Sequence, residues 1–77
     1  NHLNPLQHIA GHVRQHIGDA ERQRIHDVIQ DFGNELVPLV VPITLLNHYI
    51  QIHDIPYVKD QIYLNPSPKE LMIRNHV

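Results

Sequence analysis

The sequence predicts an all-α domain of four or five short helices packed around a central apolar helix. Three observations predict it. Apolar residues recur at spacings of three and four along most of the chain, and no strand-like alternation is sustained. Prolines and glycines punctuate that periodicity where helices start and stop. The run from Leu36 to Leu46 is apolar nearly all round, as a helix at the centre of a fold must be.

The first helix is expected from Asn4 as cap and Pro5 as first residue, with Leu6, Ile9, Val13 and Ile17 on one face and Gly18 as its end. Asp19 is expected to cap the second. Ile25, Val28, Ile29, Phe32 and Leu36 form its buried stripe, while Arg22, Arg24, Asp27 and Asp31 lie away from it. Gly33 either stops this helix or sits inside it. Pro42 removes a donor and disfavours helix at Val41, so a break is expected near residues 37–41 and a third helix from Pro42 to His53. Thr44, Asn47, His48 and Gln51 are its only polar stripe.

A short fourth helix is expected after Asp54 and Pro56, with Ile55, Val58 and Ile62 inward. Asn65-Pro66-Ser67-Pro68 reads as a rigid turn into a last helix carrying Leu71 and Met72. Ser67 and Glu70 have the spacing to cap that helix reciprocally, and Pro68 occupies the position where a missing N–H costs nothing.

Composition narrows the function classes. A chain of 77 residues is one domain or part of one, and buries roughly 60–65% of the surface that its unfolded form exposes. Cysteine is absent, which excludes disulfides and thiolate metal sites. Six basic and eight acidic residues give a net charge of −2, unlike a protein that grips phosphates nonspecifically. No apolar run approaches the roughly 20 residues of a membrane span, so no membrane role and a cytoplasmic location are expected.

Eight histidines are the compositional oddity. His8, His12 and His16 climb one flank of the first helix, and two histidines at i and i+4 can share a metal. No cysteine, carboxylate or H-E-x-x-H arrangement completes a shell, so no metal or other cofactor is expected; the ladder reads as a polar flank with one imidazole covering the core edge. His48 and Tyr49 are a pair capable of acid–base work, but no nucleophile, paired carboxylate or glycine-rich phosphate loop accompanies them. They read as a buried imidazole bonded to a backbone carbonyl and a packed tyrosine. No catalytic residue is assigned.

The last third gathers Tyr57, Lys59, Tyr63, Lys69 and Arg74, with Asn65, Asn75 and His76. Aromatic rings can stack bases while Lys and Arg hold phosphates, as in the grip on single-stranded or looped RNA. Asp54, Asp60 and Glu70 dilute the patch, and on the residues alone structural tyrosines outweigh stacking ones.

Pro56-Tyr57, Gln61-Ile62-Tyr63-Leu64, the proline turn and Glu70-Leu71-Met72-Ile73-Arg74-Asn75-His76 follow one another as in the YbgA-like domain of unknown function, which this chain resembles. Asn4-Pro5-Leu6-Gln7-His8 and the stretch Leu36 to Tyr49 resemble segments of the same family, in the same order. The resemblance implies that residues 1–77 are a single helical unit, the C-terminal part of a longer YbgA-like domain. It also implies a setting. The domain occurs alone, and as the C-terminal partner of a TudS-type desulfidase domain that binds an iron–sulfur cluster and removes sulfur from thiolated uracils. A helper that presents thiolated RNA, such as tRNA, to that desulfidase follows as the expectation, with Tyr57, Lys59, Tyr63, Lys69 and Arg74 as the RNA-binding residues. The cluster cysteines belong to the other domain, so no catalytic residue carries over. The family is commonly more basic than Gln7 to Arg24 here. The rival expectation is a protein-interaction or homodimerisation module with no nucleic-acid role.

Overall fold

The computed structural model describes residues 2–56. They form α1 (Leu3–Val13), a 3-10 turn (Arg14–His16), α2 (Asp19–Gly33) and α3 (Val40–Ile52). Each helix packs on both of the others, and no strand occurs among the described residues. The expected helices after Asp54 and Ser67 lie outside the described residues, so the count of four or five rests on them.

Most of the side chains that the periodicity assigns to the interior are buried, whereas Val28, expected in the α2 stripe, is only half-buried. Leu6, Ile9, Ala10 and Val13 of α1 meet Ile25, Ile29 and Phe32 of α2 and Ile43, Leu46, Tyr49 and Ile50 of α3. Leu6, Ile9, Val13 and Phe32 are wholly enclosed. Ile17 and Ile55, both beyond helix ends, also reach this core.

Helix starts depart from expectation in a consistent way. α1 begins at Leu3 rather than behind an Asn4 cap, and α3 begins at Val40, two residues before Pro42. Pro5 and Pro42 are each the third helical residue. The N–H of that residue has no partner within a helix, so proline is tolerated there as well as at the first position. Asp19 is likewise the first residue of α2 and not its cap; Gly18 stands before it.

Helix ends explain the remaining differences. α1 tightens into the 3-10 turn after Val13, and Ile17 and Gly18 are extended. α2 stops at Gly33 in a left-handed closure: the Glu35 N–H donates to the Phe32 carbonyl, and the Leu36 N–H to the Asp31 carbonyl. Glu35 itself carries the positive φ of 63°. Leu36 is thereby thrown out of helical phase and is 66% exposed, which overturns its expected place in the buried stripe. α3 closes in the same way, with Asp54 at φ 50° and the Ile55 N–H donating to the Ile50 carbonyl. Here the following residue, Ile55, folds back into the core.

α3 is one of three mutually packed helices in the described region. Pro42, Ile43, Leu46, Tyr49 and Ile50 are buried, but Thr44, His48 and Gln51 face outward, together with Val41 and Ile52.

Candidate functional site

Tyr57, Lys59, Tyr63, Lys69 and Arg74, the residues expected to bind RNA, lie outside the described residues. What the structure places beside them in sequence is the C-terminal end of α3, where His53, Asp54 and Ile55 lead to Pro56.

That end is tied to the start of α2. His53 Nε2 and Glu21 Oε2 are 2.9 Å apart, across 32 residues of sequence. The other oxygen of Glu21 accepts from the Gly18 N–H at 3.2 Å, one half of a capping box whose other half needs a side chain that glycine lacks. The hydrogen bond from His53, then that from Gly18, holds the Glu21 carboxyl below the ordinary glutamate range, and the nearby His53 and His48 charges add to the effect. Tyr49 is buried, with its ring 6.2 Å from that of His53 and 5.8 Å from that of His48. His48 is exposed, contrary to its reading as a buried imidazole. The cluster can orient an imidazole and share a proton between it and a carboxylate. Among the described residues no nucleophile activated by it is seen.

The histidine ladder divides by burial. His8 and His16 are exposed, while His12 is half-buried and its Nε2 is enclosed without a hydrogen-bond partner. The His12 and His16 rings lie 5.3 Å apart. Among the described residues, no three histidine or carboxylate side chains converge in a metal-holding group.

On the side of α1 and α2 that α3 does not line, the two helices leave a groove of about 530 Å³. Leu3, Ala10, Ile25 and Ile29 supply its apolar lining, and Arg14, at the start of the 3-10 turn, stands at the α1 side. The Arg14 carbonyl accepts from Arg22 Nε at 2.8 Å, and Arg22 Nη1 is 2.6 Å from Asp19 Oδ1, so one arginine fixes the α1–α2 corner.

The family model described as Protein of unknown function (DUF1722) matches residues 1–68. The chain belongs to this family. It is also 28% identical over 75 residues to the uncharacterized protein YbgA of Escherichia coli (strain K12), an alignment covering 97% of this chain and 44% of that protein. The chain thus spans less than half the length of that curated relative. No solved structure matches. Family membership agrees with the resemblance carried by the asparagine–proline, apolar and C-terminal segments. Among the described residues of this DUF1722 chain, no helix is long and apolar enough to cross a membrane.

Sequence reasoning missed Glu21, Arg22 and the groove. A signal for Glu21 existed, because a glycine followed three residues later by glutamate is a helix-start spacing. Arg22 reads from the sequence only as a residue of the outer face. The groove also has a trace in the sequence: Gln7 on α1 and Arg14 just beyond it, and His26, Gln30 and Asn34 on or just beyond α2, recur at helical spacing.

Proposed function

We propose that this chain is a noncatalytic accessory binding domain that presents thiolated RNA, tRNA in particular, to a desulfidase domain in the cytoplasm. The observation that carries the reading is the distribution of RNA-gripping side chains. Both lysines, Arg74 and two of the three tyrosines follow Pro56, in the segment whose motifs carry the resemblance to the YbgA-like domain. The described helices supply a packed scaffold that precedes this segment in sequence. The net charge of −2 sets the expected behaviour: modest affinity concentrated on one face, without the salt slope of a polybasic protein.

The test is titration of labelled thiolated and unthiolated tRNA at low and moderate salt, with wild type and a Lys69→Glu/Arg74→Glu variant. Binding by wild type that the double variant loses, with helix content intact, supports the reading. Equal binding by both, or none by wild type at low salt, removes it.

A second reading has its own observation. Val41, Leu45, His48 and Ile52 follow the four-three-four spacing of a helix seam on α3; Leu45 is half-buried against the core, His48 is exposed, and Val41 and Ile52 are 36% and 55% exposed. A protein-docking or self-associating module would use that seam. Sedimentation over a range of concentrations separates the readings: a rising mass without RNA binding selects the second.

A further inference from the structure

We infer that the α1–α2 groove binds a nucleoside monophosphate, with the phosphate on Arg14 and the ring over the apolar floor. The residues named for this site all lie within 2–56 and none belongs to the set proposed to bind RNA, so the inference does not rest on that reading. Three features of the groove carry the inference.

The first is charge. The chain is net negative, and α2 alone carries four acidic residues, yet among the described residues no carboxylate lines the groove. Three of the four are engaged elsewhere: Asp19 with Arg22, Glu21 with His53, and Asp27 with Gln23 at 3.0 Å. Among the described residues, the charged or protonatable groups that line it are Arg14 and His26. An anion fits there, and a guanidinium is the side chain best shaped to hold a phosphate.

The second is the type of polar group. Gln7, Gln30 and Asn34 complete the rim. A carboxamide offers a donor and an acceptor in one plane. The edge of a nucleobase presents donors and acceptors side by side in the same way, whereas a simple inorganic anion, which only accepts, would use the donor half of each carboxamide alone.

The third is shape. The floor residues Leu3, Ala10, Ile25 and Ile29 are apolar, with Leu3 half-buried and the other three buried, so Leu3 presents most of the apolar surface; the volume of about 530 Å³ lies within the usual range for small-molecule sites. Ala10 and Gly33 keep the walls low. A Cβ added at Gly33 would approach the Leu3 side chain at 3.7 Å, an ordinary contact that narrows the groove without straining the fold. Gly33→Ala is therefore a probe of groove width.

The experiment is an amide chemical-shift titration of the full chain with uridine monophosphate, uridine, inorganic phosphate and a short oligouridylate, each to low millimolar. Saturable shifts clustered at Ala10, Arg14, Ile29 and Gly33 are expected with uridine monophosphate, and weaker ones with uridine or phosphate alone. Arg14→Gln should weaken the monophosphate about tenfold, the loss of one charged hydrogen bond, and leave uridine nearly unchanged. Gly33→Ala should weaken both while circular dichroism stays the same. Matching shifts with the oligouridylate mark a strand as the source of the nucleotide, and shifts with the monomer alone mark a free nucleotide; either supports the site. No saturable shift in the groove, an Arg14→Gln variant that binds as wild type, or groove shifts that follow protein concentration without ligand would overturn it. The last result would make a second copy of the chain the occupant. Failure of the tRNA titration leaves this result untouched, since its shifts are read at, and its variants made at, residues within 2–56.

Discussion

Glu21 Oε2 lies 2.9 Å from His53 Nε2, so one carboxylate caps the start of α2 and clamps the end of α3. The pairing is topological: it exists because α2 and α3 run so that the first turn of one meets the last turn of the other. A carboxylate near a helix N-terminus and an imidazole at a helix C-terminus are also each on the side that the helix dipole favours.

The sign of the resulting pH dependence follows from the Glu21 carboxyl. Its folded pKa is depressed, first by the His53 hydrogen bond and then by Gly18, so its contribution is present above the ordinary glutamate value of 4.5 and is lost as pH falls through the lower folded value. A carboxyl-carbon titration by NMR should place the Glu21 midpoint below that of an unstructured glutamate. His53→Ala should return it part of the way and lower the melting temperature at neutral pH. A midpoint unmoved by His53→Ala would show that the pair is not formed in solution.

Leu46 is 1% exposed and belongs to the helix that touches both neighbours. Leu46→Ala should destabilise the domain by roughly 2–5 kcal/mol, through lost transfer energy and the cavity left behind. For a chain this short that is a large share of the total, so urea unfolding should show a midpoint far below wild type or no folded baseline. A loss under about 1 kcal/mol would mean that the three-helix core is not the stabilising unit.

Glu35 and Asp54 both adopt the left-handed conformation at helix ends, with φ of 63° and 50°. Glycine meets that conformation without the Cβ clash, and aspartate tolerates it better than glutamate does. Glu35→Gly should therefore raise stability by about 1 kcal/mol, and Asp54→Gly by less. Thermal melts of the two variants check the order. A decrease for Glu35→Gly would show that its side chain contributes more than the backbone strain costs.

These two positions also mark where the sequence stops being legible. Inside a helix the 3.6-residue period holds, so Leu6, Ile9 and Val13, or Ile25, Ile29 and Phe32, announce themselves. Leu36 continues that period on paper, but the chain leaves helical phase at Glu35, a residue with no turn signature. The prolines are off by two residues for a related reason: Pro5 and Pro42 mark the first turn of a helix without fixing which of its residues they are. Contacts between helices are harder still. Glu21 and His53 are 32 residues apart, and the groove exists only because α1 and α2 separate on one side. No local pattern encodes a crossing, although the types that line the groove were visible at helical spacing once the crossing was known.

His12 gives the last test. Its Nε2 is enclosed, and no hydrogen-bond partner satisfies it. The two neighbouring members of the ladder, His8 and His16, face solvent, so His12 alone bears the cost of burial. A buried polar atom without a partner loses its water and gains nothing, a penalty of about 1–3 kcal/mol when the atom is fully desolvated. His12→Leu replaces the ring with an apolar side chain beside Ile9 and Val13. It should leave stability unchanged or raise the melting temperature by a few degrees, whereas His8→Leu and His16→Leu, at exposed positions, should do neither. The same melts repeated with a chelator should be unchanged, because no three ligands converge among the described residues. If His12→Leu instead costs more than about 1 kcal/mol, the imidazole is bonded in solution. A melting temperature that falls on chelation and recovers with one equivalent of metal would identify that partner as an ion.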